Sequence, residues 1–236
     1  MSNNDRSLRV PSSSTEVDAF LNKLADLPAA ADGGRGRLMF ALDATASREA
    51  TWLEATHIQE QMFVETAALG GLEVQLVYYR GIGECKASRW LSDAQALMEV
   101  MQKVSCDAGR TQIARVLLHA VAQTEKVRLG ALVFVGDCME ENLEDLLHAA
   151  GQLRLLGVPV FLFHEGNDPV AGMAFAKIAA LTKGACCKFD TSSPAQLRSL
   201  LAAVAVYAAG GRKALTEYGQ RQGGAVLQLT RQMSGD

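Results

Sequence analysis

The sequence predicts a doubly wound α/β domain: a six-stranded, mostly parallel sheet with one antiparallel edge strand and helices on both faces. Three observations predict it. Apolar runs of strand length, at residues 38–42, 131–135 and 158–163, alternate with segments of helical period. A single tight turn, Arg80-Gly81-Ile82-Gly83, joins two strands directly and so requires one antiparallel pair. Two of the apolar runs empty into an aspartate, Asp43 and Asp137, and in parallel sheets ligands bind at the carboxyl ends of the strands, near the point where the strand order reverses.

Residues 1–36 read as an N-terminal extension. The first 13 or so have the composition of a disordered terminus and end in Pro11-Ser12-Ser13-Ser14. A short helix follows, with Thr15 and Asp18 spaced as a capping box and Val17, Phe20, Leu21 and Leu24 on one stripe. The stretch Asp32-Gly33-Gly34-Arg35-Gly36 then breaks the pattern; it precedes a strand, whereas a phosphate loop follows one, so it reads as a linker.

The main domain spans residues 37–209. Strand 38–42 leads through Asp43 into a long helical segment carrying Trp52, Ala55, Ile58, Met62 and Leu69 on one side. Residues 72–79 form a strand, and residues 84–90 return as its antiparallel partner. A helix near 92–103 and a loop at 105–110 come next, and Thr111 opens a helix whose face is Ile113, Val116, Leu117, Ala120 and Val121. Strand 131–135 ends at Gly136-Asp137, and Leu143, Leu146, Leu147 and Ala150 mark the following helix. Strand 158–163, a helix with Val170, Ala174, Ile178 and Leu181, and a short edge strand at 185–189 complete the alternation. The closing helix begins with Leu197, Leu200, Leu201 and Val204, and the more polar residues 210–236 read as a tail.

With 49% hydrophobic and 21% charged residues, the 236-residue chain has the balance of a soluble protein with a substantial core. Its net charge of −3 is dispersed, which leaves no basic footprint for a nucleic acid partner. The longest apolar run, residues 200–209, is too short to cross a bilayer, so no membrane partner is expected. Five cysteines at irregular spacing, together with a polar start, lead us to expect free thiols in a cytoplasmic, reducing compartment.

The chemistry concentrates in one motif. Asp43, Thr45 and Ser47 stand at i, i+2 and i+4 of one loop and turn three oxygen side chains toward a common centre. Thr111 and Asp137 can add a fourth and a fifth. Two carboxylates with three hydroxyls suit a hard cation, Mg²⁺ or else Mn²⁺ or Ca²⁺, rather than zinc. Taken singly, Asp, Thr and Ser are also the usual caps before a helix, and only their joint placement at strand ends speaks for a metal.

These residues resemble the metal-ion-dependent adhesion site of the von Willebrand factor A family. That pattern is Asp-x-Ser-x-Ser after the first strand, a Thr on a second loop and an Asp after a later central strand. Asp43-Ala44-Thr45-Ala46-Ser47 fits the first part with Thr for Ser, Thr111 the second and Asp137 the third, and the resemblance covers about residues 37–209. The chain departs from the pattern at Ala46 and Arg48, where many members carry Gly and Met, and at Cys138, where a Gly is common. The resemblance implies a non-catalytic, metal-dependent protein-binding module, in which an Asp or Glu of the partner completes the ion's shell. It also implies an assembly role, often beside an ATPase or chaperone.

The competing reading is a Mg²⁺-dependent phosphotransferase of the haloacid dehalogenase class, with Asp43 as nucleophile and Gly136-Asp137 at a later strand end. Most such hydrolases place a general acid two residues after the nucleophile, where this chain has Thr45. Cys106 and Cys138 flank the outer metal loops and could approach each other, although small apolar filler is the simpler role. Adjacent Cys186-Cys187 lacks zinc-ligand spacing, and His57, His119, His148 and His164 are scattered. Glu140, Glu141, Glu144 and Asp145 near a helix start read as a solvated face that favours the helix dipole.

Overall fold

The computed structural model describes residues 35–58, 60–67, 71–189 and 194–222. The short helix expected through Val17 and Leu24, and Leu69 of the long helical face, lie outside these residues. Six strands are present among them: β1 (Gly36–Asp43), β2 (Leu72–Arg80), β3 (Glu84–Ala87), β4 (Ala131–Gly136), β5 (Val160–Glu165) and β6 (Ala185–Phe189). They form one sheet in the order β3-β2-β1-β4-β5-β6. All neighbours are parallel except β2 and β3, which pair antiparallel at the edge, as the hairpin predicts.

Alternation along the strands feeds two cores. Leu38, Phe40 and Leu42 of β1 join one, with Val133 and Val135 of β4, while Met39 and Ala41 join the other, with Leu132 and Phe134. The first core is covered by α1 (Glu49–Ile58), α2 (Glu60–Thr66), α3 (Ala94–Met101) and α7 (Pro194–Gln222). The second is covered by α4 (Ile113–Lys126), α5 (Leu143–Leu155) and α6 (Pro169–Thr182). Burial on both faces is why these strands read as unbroken apolar runs, and each fully buried Leu, Val or Phe contributes about 1.5–3 kcal/mol.

Several elements differ in extent from the sequence reading. The long helix expected after Asp43 is a 3-10 turn (Ala46–Arg48) followed by α1 and α2. Strand β3 stops at Ala87 because the Ser88 hydroxyl, rather than a backbone carbonyl, accepts from the Leu76 amide at 3.0 Å. The chain then touches β2 again through a bridge between Val74 and Leu91. Helix α4 opens at Ile113 and not at Thr111, which frees the Thr111 hydroxyl from a capping role. Helix α7 continues through the segment read as a tail as far as Gln222, with Ala214, Leu215 and Tyr218 buried in the first core.

This topology fixes the site. β1 lies between β2 and β4, so the chain leaves β1 toward one edge of the sheet and reaches the other edge from β4 onward. Leu42 pairs with Val135 in register. Asp43 and Asp137 therefore emerge from adjacent strands at the same end of the sheet, at the reversal point.

Candidate metal centre

Asp43, the last residue of β1, is 1% exposed. Its Oδ1 accepts from the Thr45 amide at 2.8 Å, and its Oδ2 accepts from the Tyr79 hydroxyl at 3.0 Å. Burial raises its pKa and the charge of Asp137 adds to that, while the hydrogen bonds from Thr45 and Tyr79 oppose it. The Thr45 hydroxyl lies 3.3 Å from the Ser47 hydroxyl, and Ser47 Oγ donates to Asp137 Oδ2 at 2.8 Å. One hydrogen-bonded chain thus runs from the first loop to the carboxylate beyond β4.

Thr111 is buried on the loop that precedes α4. Its hydroxyl accepts from the Glu140 amide at 3.0 Å, and its amide donates to the Glu140 carboxylate at 3.1 Å. This reciprocal pair ties the Thr111 loop to the segment after Asp137. Behind it, Gly109 packs against the hairpin tip so closely that a Cβ there would fall 2.2 Å from the Gly81 carbonyl oxygen. Only glycine permits that approach. Thr45, Ser47, Gly109, Thr111, Cys138 and Glu140 line one cleft of about 240 Å³.

The sequence-predicted residues are therefore brought together: Thr45, Ser47 and Thr111 on the cleft wall, and Asp43 and Asp137 joined to the same hydrogen-bond chain. Asp43, Asp137 and Cys138 can each place one ligand atom within 4.8 Å of the others. Asp137 Oδ1 is buried and has no hydrogen-bond partner. A buried carboxylate oxygen without a partner carries a desolvation penalty that a cation would remove. Two carboxylates, with three hydroxyls on the adjoining cleft wall, make a donor set that fits a hard divalent ion. The Cys138 thiol, raised to about 12 by burial and by the charge of Asp137, stays protonated and adds no charge of its own.

Four contributors were not assigned to the site from sequence. Tyr79 pairs in register with Asp43, so an aromatic hydroxyl at the end of β2 was a usable signal. Arg48 is 1% exposed and ion-paired to Glu165, whose carboxylate also accepts from the Thr51 hydroxyl. Arg48 stands four and seven residues before the buried Trp52 and Ala55, a charged residue on an apolar stripe, and that was its signal. His164 is fully buried and its Nε2 lies 3.3 Å from the Asp137 carbonyl. Glu141 was read with Glu140 as a solvated face. Its carboxylate instead accepts from the Ala114 amide at 2.9 Å and from the Ile113 amide, capping α4 from outside. Cys106 and Cys138 are free thiols and no disulfide joins them.

No family model matches the sequence, and no curated protein is a match. Solved structures do resemble it. The VWA domain of SpRpn10 is 12% identical with a TM-score of 0.54, covering 75% of this chain and 97% of that one. The vWF domain of the type V pili tip protein Mfa5 from Porphyromonas gingivalis is 9% identical with a TM-score of 0.58, covering 74% and 95%. Proximal thread matrix protein 1 from the mussel byssus, in a structure with a zinc-occupied MIDAS motif, is 14% identical with a TM-score of 0.57. That match covers 73% of this chain and 48% of the mussel protein, so this chain spans about half the length of that relative. These likenesses lend nothing to the phosphotransferase alternative. Among the described residues no helix is long and apolar enough to cross a membrane. Sheet order, antiparallel edge and the loops gathered at the strand ends make the fold of this chain that of a von Willebrand factor A domain.

Proposed function

We propose that the chain is a divalent-cation-dependent protein-binding module, with Asp43, Thr45, Ser47, Thr111 and Asp137 as the residues that hold the ion and a partner's Asp or Glu as its last ligand. The observation that carries this reading is the buried, unpartnered Asp137 Oδ1 within reach of Asp43, beside a cleft lined by three hydroxyl side chains. The bound ion supplies positive charge that an incoming carboxylate can ligate directly, in a cleft where attraction is screened less than in water. Thr45 stands where hydrolytic chemistry would need an acid, which supports binding rather than turnover. The expected ion is Mg²⁺, with Mn²⁺ or Ca²⁺ as alternatives, and the expected setting is an intracellular assembly.

Calorimetric titration with Mg²⁺ and Mn²⁺ tests the reading. Wild type should bind one ion, and Thr111→Ala should weaken binding about tenfold, roughly 1.4 kcal/mol, while keeping the circular dichroism spectrum. Removing this hydroxyl takes away one oxygen without adding charge. Absence of binding by wild type at millimolar ion would overturn the proposal. So would metal-dependent hydrolysis of a phosphate ester that disappears in Asp43→Asn.

A further inference from the structure

Fully buried arginines are rare, and they are tolerated only when paired. Arg48 is the largest fully buried side chain in the described part of the molecule, and it follows Ser47 directly. It extends from the turn after β1 to Glu165, the last residue of β5. Between those two strands lies β4, and the register of Gly136 with His164 puts Asp137 level with Glu165. The guanidinium therefore crosses the sheet end where Asp137 emerges. Its Nε has no hydrogen-bond partner, so the ion pair to Glu165 leaves part of the cation unmatched on this path. Consistently, burial lowers the pKa of Arg48 while Asp137 and then Asp43 raise it, so both carboxylates act on this cation.

Resting on the cation-binding reading above, we propose that Arg48 is the resident counter-charge of the site: it offsets Asp43 and Asp137 when no ion is bound, and it lowers the affinity for a divalent cation. A buried carboxylate and a half-buried one beside it repel each other without a cation, and a fixed positive charge behind them relieves that. The same charge repels an ion entering in front. Glu165 tunes the effect, because it neutralises the guanidinium from the side away from β1. A site built this way takes up its ion weakly alone and more firmly when a partner carboxylate adds negative charge. Ion and partner then bind with positive coupling, each raising the affinity for the other.

The test uses the full chain, Mn²⁺ or Mg²⁺ as titrant, and the variants Arg48→Met, Arg48→Lys and Glu165→Gln. Arg48→Met, which removes the charge at similar length, should bind Mn²⁺ at least tenfold more tightly than wild type. Arg48→Lys, which keeps the charge, should stay within about threefold. Glu165→Gln should move affinity the other way by a comparable factor, because it frees the positive charge from its partner. In excess EDTA, Arg48→Met should melt below Arg48→Lys, and excess Mn²⁺ should close the gap. A merely structural arginine predicts loss of affinity in every variant and no opposite signs. Arg48→Met binding no more tightly than wild type overturns the proposal. If that variant does not fold, unchanged affinity in Glu165→Gln overturns it alone. Should wild type bind no divalent ion, the cation-dependent reading fails by itself. The role of Arg48 then stands only if Arg48→Met gains Mn²⁺ binding, and falls if it does not.

Discussion

Asp43 accepts hydrogen bonds from Thr45 and from the Tyr79 hydroxyl, and burial still holds its pKa above the ordinary carboxylate value of 3.8. A carboxyl group whose pKa is higher folded than unfolded binds protons more readily in the folded state. Stability then falls as pH rises from 3.8 through the folded value, and the penalty persists at neutral pH. Asp43→Asn removes the charge and keeps an oxygen for the Thr45 amide, while the Tyr79 hydroxyl can turn to accept. At pH 7 in EDTA this variant should melt a few degrees above wild type. It should also lose any rise in melting temperature on adding Mg²⁺. Thermal melts with and without the ion decide it. A variant that melts below wild type in EDTA would show that the hydrogen bonds to the carboxylate outweigh the burial of the charge.

Helix α4 has no cap of its own, since the Gln112 side chain makes no capping hydrogen bond. The Glu141 carboxylate supplies one from the segment after β4, and an anion at a helix N-terminus is favoured by the dipole as well as by the amides it binds. Glu141→Ala should cost about 1–2 kcal/mol in chemical denaturation. It should also weaken cation binding, because Thr111 sits on the loop that this cap and Glu140 hold in place. Equal stability of the variant and wild type would mean that water replaces the carboxylate at no cost. The cap also marks the limit of what sequence shows. Apolar runs buried on both faces reveal β1 and β4 because every residue in them answers to the same environment, and Asp43, Thr45, Ser47 and Asp137 follow as their continuations. Asn142 and Asp168, which cap α5 and α6, are adjacent to their helices and equally legible. Glu141 acts on residues 27 and 28 positions away, and nothing local distinguishes it from Glu144 on the exposed side. Ser88 ends β3 by a side-chain bond to a neighbouring strand, which strand propensity cannot register.

The two ends of the sheet serve separate purposes. At the carboxyl ends the loops gather around the candidate metal centre, while at the opposite end α7 seats directly on the backbone. A Cβ on Gly36, the first residue of β1, would fall 2.3 Å from Ala209 Cα, and one on Gly130 would fall 2.9 Å from the Ala208 carbonyl oxygen. The helix then kinks at Gly211, whose φ of 65° and ψ of −161° suit glycine alone. Beyond the kink Ala214, Leu215 and Tyr218 return to the first core at 5–6% exposure. Polar composition after Gly210 suggested a tail because those three residues occupy a narrow stripe among charged and glycine neighbours. A chain ending at residue 209 should therefore lose stability relative to one ending at 222, by about 3–5 kcal/mol from uncovering Leu215 and Tyr218 and their partners. Its Mg²⁺ affinity should be unchanged wherever it remains folded, because residue 209, where it is cut, meets the sheet at Gly36, the far end of β1 from Asp43. Urea denaturation followed by calorimetry on the same two chains measures both quantities. Equal denaturation midpoints would make residues 210–222 a separable appendage. A loss of Mg²⁺ affinity in the folded shorter chain would mean that the two ends of the sheet are coupled through the core.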